Sequence, residues 1–294
     1  MKNLKEKITV ITVVLNDASA IEETLYSVSS QSYDEIEHVI IDGGSVDGTV
    51  TIIKDYIKLN QNSGILFVSE KDDGIYDAMN KGVCLATGKY IIFMNCGDIF
   101  FDNKVIEKFA SEQHQADFVF GDTILKKKDD KEIVCKSKID DILKKMPFVH
   151  QSCFVKASLQ KRLKFNTLFK IAADYDFLLR SYKEGCTFEK IDRFISIHKI
   201  DGISNTSVFQ VSIESMHALL NYNSMANIRE TAYFADIIIK EILEVNKPRM
   251  LSNFIKDIKR IKLIPWKRHP LKKIISFFAL SLDFKKIYNT LIVK

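Results

Sequence analysis

Four segments of this chain combine acids, amides and glycines in patterns suited to binding a small ligand and moving a proton. The first is Asp42-Gly43-Gly44-Ser45-Val46-Asp47-Gly48-Thr49. Its paired glycines permit a tight turn and close backbone approach to a ligand. The Asp42 carboxylate is placed to accept hydrogen bonds from ring or hydroxyl donors, while Asp47 reads as a helix cap. The second segment runs from Glu70 to Gly82 and contains Asp72, Gly74, Ala78, Asn80 and Gly82. Asn80 and Gly82 both disfavour a helix interior, and Gly is about 1 kcal/mol worse than Ala there. Gly82, four residues from Ala78, lets a helix approach a sheet closely, and Asn80 is expected to hydrogen-bond beside a ligand. The third segment ends an apolar run with Asn95-Cys96-Gly97-Asp98. The fourth is Ile171-Ala172-Ala173-Asp174-Tyr175-Asp176-Phe177-Leu178-Leu179-Arg180. Tyr175, Leu178 and Leu179 form one apolar face of a helix whose opening turn holds Asp174. The helix dipole keeps a carboxylate there ionised, the state that a general base requires. Asp176 and Arg180 form a supporting i,i+4 pair.

The elements that must carry these segments alternate in type. Ile8 to Leu15, Ile36 to Ile41, Gly64 to Ser69 and Tyr90 to Met94 read as strands, with a further short strand over Asp117 to Phe120. Helical patterns lie between them, at about Ala18 to Ser30, Gly48 to Leu59, Tyr76 to Ala86 and 104–112. Apolar strands alternating with helices predict an α/β fold, a mostly parallel sheet flanked by helices on both faces. Ligands of such sheets bind beyond the carboxyl ends of the strands, where Asp42, Asp72 and Asn95 fall. Residues 126–145 are charged and read as an exposed loop or hairpin. Helical patterning from Ser207 to about Val245 ends at Lys247-Pro248.

Taken together, the segments resemble family 2 glycosyltransferases of the Rossmann-like GT-A fold. That family shows N-x-G-x-x-x-A-x-N-x-G after the third strand; this chain matches at Gly74, Ala78, Asn80 and Gly82, with Asp72 where Asn is common. Asn95-x-x-Asp98 resembles the D-x-D element, whose carboxylate holds a divalent cation against the diphosphate of a nucleotide sugar. Gly97 departs from it, standing where Asp is frequent. Asp174 falls on the catalytic base of the E-D-x-x-x-x-x-R helix, with Ala173 replacing Glu. Asp201-Gly202-Ile203-Ser204 resembles the G-G-x-S segment, a candidate lid. The resemblance implies a catalytic domain over residues 1–205, nucleotide-binding over 1–125 and acceptor-binding and catalytic over 126–205. It implies Asp174 as base; Asn16, Asp42, Asp72, Gly74, Asn80 and Asn95 as the donor side; and Asp98 with Mn²⁺ or Mg²⁺. His150, Gln151, Asp122 and Ser204 become acceptor or lid candidates. The implied partners are a nucleotide sugar, with uridine as the expected base, and a saccharide or polyprenyl-diphosphate-linked acceptor. The S-E-x-D-x-G-I-Y-D-A-M-N-K-G string points to bacterial capsule, O-antigen or colanic-acid-type polysaccharide synthesis. Two other readings stay open: a binding or scaffold protein with a degenerate transferase domain, for which Gly97 and Ala173 speak, and a sugar nucleotidyltransferase. The second needs a Gly-rich, basic phosphate loop after the first strand, and Leu15-Asn16-Asp17-Ala18-Ser19 holds no Gly, Lys or Arg.

Charge divides the chain unevenly. Residues 247–294 carry 13 Lys/Arg against Asp257 and Asp283, so the +5 total leaves −6 for residues 1–246. Trp266, Phe277 and Phe278 are interleaved with that basic tail. The extension 206–294 is therefore expected to be helical and basic, with peripheral contact to an anionic membrane through 248–294. Nucleic acid is not an expected partner, because the basic residues are confined to the tail and no recognition motif accompanies them. Five scattered cysteines and no signal-peptide pattern point to free thiols and the cytoplasm.

Overall fold

The seven residues Ile8–Val14 (β1) are apolar or β-branched and all buried, as expected of a central strand covered on both faces. The computed structural model describes residues 5–61, 64–127, 129–199 and 208–222. Around β1 lie β2 (Ile36–Asp42), β3 (Gly64–Ser69) and β4 (Tyr90–Phe93), all parallel, with α1 (Ala18–Ser29), α2 (Thr49–Leu59) and α3 (Ile75–Leu85) between them. The second half adds β5 (Ile99–Phe100), α4 (Val105–Ala110), β6 (Phe118–Lys126), β7 (Glu132–Cys135), β8 (Cys153–Lys156), α5 (Ala157–Leu163), α6 (Ala173–Lys183) and β9 (Phe188–Lys199). The sheet order is β3-β2-β1-β4-β8-β6-β9-β5, with β7 paired to β6. The longest ladders, β1–β2, β2–β3 and β6–β9, are parallel, whereas β8, β5 and β7 join antiparallel.

Alternation along β1 divides the core. Ile8 and Val10 face a cluster with α4, and Val14 faces one with α1 and α2. Ile11 points the other way, onto α3, and a Cβ at Gly82 would lie 2.6 Å from its Cγ2. Gly82 thus lets α3 sit directly on the sheet. The charged stretch after β6 is a β6–β7 hairpin. Three strands, the two-residue β5 and then β8 and β9, were not foreseen. β8 is only four residues long, and β9, Phe-Glu-Lys-Ile-Asp-Arg-Phe-Ile-Ser-Ile-His-Lys, mixes charges into its apolar alternation. Similarly, β6 runs past the expected Phe120 because β7, β8 and β9 all pair along it.

By contacts the chain divides into two units, Met1–Ser207 and Val208–Lys294. In the second, Val208–Tyr222 is helical. The tail 248–294 and the Asp201–Ser204 segment lie outside the described residues. Among the described residues no helix is long and apolar enough to cross a membrane, and the five cysteines are unpaired.

Candidate active site

The carboxyl ends of β1, β2 and β4 lie side by side, and the segments that follow them build one end of the site. Asp42, the last residue of β2, is fully buried. Its Oδ2 accepts the N–H groups of Gly44 (3.1 Å) and Ser45 (3.0 Å) and the Ser69 hydroxyl (2.7 Å). Its Oδ1 is buried with no partner, an acceptor left without a donor. Asn16 follows β1 with a left-handed φ of 50°. Its Oδ1 accepts from the Val46 N–H (2.8 Å), and its own N–H donates to Ser45 Oγ (2.7 Å). Asp47 accepts from the N–H and hydroxyl of Thr49 and from the Ala18 N–H; it stands one residue before Gly48, the N-cap of α2, and ties the start of α2 to that of α1. Those bonds, Thr49's foremost, hold its carboxyl below the usual range. Asp72 Oδ1 accepts the Gly74 N–H (2.9 Å), and Oδ2 fills the space that a Cβ on Gly43 would need. Gly74, at φ +123°, opens α3.

After β4 the chain turns sharply: the Asp98 N–H donates to the Asn95 carbonyl (2.9 Å), with Gly97 at φ +93°. An L side chain rarely adopts that φ, which gives a backbone reason for Gly97 in place of the family's Asp. The Thr24 hydroxyl fixes the turn by accepting the Gly97 N–H and donating to the Asp98 carbonyl. Asp98 is 5% exposed, and both carboxylate oxygens are engaged. Gln151 Nε2 donates to Oδ2 and His198 Nδ1 donates to Oδ1, each at 2.6 Å. Burial alone would lower the His198 pKa, but the hydrogen bond and charge of Asp98 outweigh it and raise it.

A resident cation does not fit this donor set. There is one carboxylate, both of its oxygens already face donors, and no group of three His, Cys, Asp or Glu able to hold a metal occurs among the described residues. The buried amide oxygens of Asn95 and Gln151 have no hydrogen-bond partner.

Asp174 occupies the first turn of α6 and is 19% exposed. Its Oδ1 accepts the Tyr175 N–H (2.8 Å) and lies 3.2 Å from the Tyr76 hydroxyl, which also donates to the Ile171 carbonyl (2.5 Å). Its Oδ2 lies 3.4 Å from His150 Nδ1, and His150 Nε2 is 3.2 Å from Asn95 Nδ2. A chain Asn95–His150–Asp174 thus joins the β4 turn to α6. Ala173, where the family carries Glu, is fully buried and has no room for a solvated acid.

Asn80 serves a different purpose from the one expected. Its amide grips both backbone groups of Phe165, accepting the N–H and donating to the carbonyl, each at 2.9 Å. Arg180 pairs with Asp176 and also reaches the carbonyls of Leu163 and Lys164. Asp122 is buried and matched by Lys136 (2.7 Å), Lys190 (3.4 Å) and the Ser137 N–H (2.9 Å). Burial would raise its pKa, and these partners lower it instead. It thereby secures the β6–β7 hairpin and β9. Ser204 lies outside the described residues. His198 was missed by the sequence reading. The charges of β9 break the alternation that would have placed it on the same face as Ser196, itself bonded to Ser152 beside Gln151.

The sequence profile described as glycosyl transferase family 2 matches residues 9–180. A PGL/p-HBAD biosynthesis glycosyltransferase of Mycobacterium bovis is 28% identical over 206 residues, 68% of this chain and 80% of that protein. A putative teichuronic acid biosynthesis glycosyltransferase of Bacillus subtilis is 33% identical over 105 residues, 36% of this chain and 41% of that one. Among solved structures, S. aureus TarS 1-349 in complex with UDP-GlcNAc superposes with a TM-score of 0.63 at 17% identity, covering 89% of this chain and 82% of that one. The Pyrobaculum calidifontis mannosyltransferase PcManGT, in complex with GDP-Man and Mn²⁺, gives 0.58 at 16%, covering 98% and 84%. The fold is therefore GT-A. Matched over more than half of its length, the chain belongs to glycosyl transferase family 2.

Proposed function

We propose that this chain is an inverting glycosyltransferase that moves a sugar from a uridine diphosphate donor to a saccharide or polyprenyl-diphosphate-linked saccharide. The observation that carries the reading is the contrast between two carboxylates at one end of the sheet. Asp98 is closed off by two short hydrogen bonds, whereas Asp174 keeps an exposed edge in the first turn of a helix. Different environments for neighbouring acids are how such sites divide roles. Asp174 takes the proton of the acceptor hydroxyl, whose oxygen attacks the anomeric carbon opposite the departing nucleoside diphosphate. The Tyr175 N–H and the helix N-terminus both face that carboxylate. On the donor side, Asp42 Oδ1 is the unused acceptor available to a base N–H or ribose hydroxyl.

The nucleotide assignment draws on the TarS complexes with UDP and UDP-GlcNAc. The biosynthetic setting, a bacterial surface polysaccharide, draws on the name of the Bacillus teichuronic acid relative, and its narrowing to capsule or O-antigen on the Ser69–Gly82 string. A Mn²⁺ or Mg²⁺ ion at Asp98 would have to displace Gln151 or His198, so the proposed chemistry rests on the protein's own residues. The charge division of the sequence supports peripheral membrane contact through 248–294, and the scattered cysteines support a cytoplasmic location.

The test is nucleoside diphosphate release from UDP-glucose, UDP-galactose, UDP-N-acetylglucosamine and GDP-mannose, with Asp174→Asn as comparison. The variant should bind donor like the parent and turn over roughly 100- to 10,000-fold more slowly. Half of parental turnover in Asp174→Asn removes it as the base. Donor binding without any release by the parent favours a nucleotide-sugar-binding protein instead.

A further inference from the structure

We infer that His150 is a positioning residue for Asp174, held in one tautomer by Asn95 and presenting its Nδ1 proton to the carboxylate. The inference rests on the reading of Asp174 as the base, and goes beyond it by naming what orients that base.

An amide nitrogen only donates, so Asn95 Nδ2 at 3.2 Å makes His150 Nε2 an acceptor. The ring proton of a neutral imidazole must then sit on Nδ1, which faces Asp174 Oδ2 at 3.4 Å. The pair stands in ion-pair range without a formed hydrogen bond, and catalytic contacts of this kind tighten when substrate closes a site. The ring is packed as well as bonded, with Phe93 approaching it edge-on at 6.2 Å between centroids. Asn95 belongs to the turn after β4, whose other end is Asp98. His150 and Gln151 are neighbours in one short 3-10 turn, His150–Ser152. Successive residues of that turn therefore face the two carboxylates, His150 toward Asp174 and Gln151 toward Asp98. The turn is anchored beneath by Ser152, whose hydroxyl contacts Thr123 and Ser196, each at 2.6 Å. A donor closing on Oδ2, with the Tyr175 N–H already on Oδ1, would fix the carboxylate plane. Misplacing a reacting group by about 1 Å costs about 100-fold in rate, so loss of that donor should be visible in turnover.

The two amide replacements of His150 separate this role from simple packing. In His150→Asn the side-chain Nδ2 falls near the imidazole Nδ1 and keeps a donor toward Asp174. In His150→Gln the amide reaches toward Asn95 and abandons Asp174. With UDP-N-acetylglucosamine as donor, and water or a saccharide as acceptor, His150→Gln should lose about 10- to 100-fold in kcat. Its affinity for UDP should stay within about twofold, while His150→Asn keeps most of the parental kcat. Equal losses in both variants, or parental turnover in His150→Gln, would overturn the inference. Long-range proton–nitrogen NMR on the ¹⁵N-labelled full chain, near pH 8 where a free imidazole is neutral, reads the tautomer without any activity. The resonance absent from His150→Asn should show a protonated Nδ1 and a bare Nε2; the opposite tautomer refutes the proposal. Asp174→Asn with parental turnover would instead bring down the base reading, and the two failures are thereby distinguished.

Discussion

The enclosure of Asp98 makes a quantitative prediction about metal affinity. Both carboxylate oxygens accept hydrogen bonds of 2.6 Å, from Gln151 and His198. A bond to a charged group contributes about 1.5–3 kcal/mol. A cation that takes one oxygen must break one such bond, which weakens its binding about 10- to 150-fold. A single carboxylate with amide and water ligands reaches only about millimolar affinity at best. Mn²⁺ alone should therefore bind the nucleotide-free protein more weakly than about 1 mM. His198→Ala frees Oδ1 and should tighten Mn²⁺ about tenfold or more over the parent, whereas Asp98→Ala should abolish the gain. Titration with Mn²⁺, followed by the paramagnetic resonance signal of the free ion, measures all three proteins. Micromolar binding by the parent without nucleotide, or weaker binding by His198→Ala, would refute the reasoning. The second outcome would make the imidazole a ligand rather than a competitor.

Other consequences are open to measurement. Asn80→Ala removes two hydrogen bonds to Phe165 and should lower stability in urea by about 1–3 kcal/mol; a loss below about 0.5 kcal/mol would show that the grip is incidental. His38 is buried between Thr12 and Tyr56, and burial pushes its pKa down to about 3. It stays neutral when folded, while the unfolded chain takes up a proton below about pH 6.5. Stability is therefore fully present above that pH and falls by about 1.4 kcal/mol per unit as pH drops toward 3. From about pH 6.5 to 5 the parent should lose about 2 kcal/mol more than His38→Asn in urea unfolding, and equal slopes would contradict the assignment. Deleting residues 248–294 should abolish sedimentation with anionic vesicles, a binding that weakens as salt rises. Failure of the intact chain to sediment at low salt would exclude the membrane role.

What could be read before the structure follows from how local each signal is. β1 and β4 are runs of apolar or β-branched or aromatic residues and β2 holds one in Val39–Ile41, and the positions after them were legible because parallel strands end together. β9 was not legible, since its Glu189, Lys190, Asp192 and Arg193 break the alternation that marks a strand. Its pairing along β6 stabilises it nonetheless. Asp98 was visible as a carboxylate closing a turn, but His198 stands 100 residues away and only the folded sheet joins them. Gly97 and Ala173 read as departures from the family pattern, yet one answers to a left-handed φ and the other to complete burial. Asn80 misled in the opposite way. Its type suggested a ligand contact, while its amide complements a backbone N–H and carbonyl.

That complementarity bears on how the segment between α5 and α6 tolerates change. It is held through main-chain atoms: Phe165 by Asn80, and the carbonyls of Leu163 and Lys164 by Arg180. Of its side chains, the Phe165 ring is committed to the core against Tyr76, Phe93 and Phe177. Leu168 is 54% exposed. A frame fastened by its backbone leaves exposed side chains such as Thr167 and Leu168 free to drift over generations without disturbing the residues that follow. Descendants of such a chain could thus sample new surface chemistry a few residues ahead of Asp174 while the helix that carries it keeps its place.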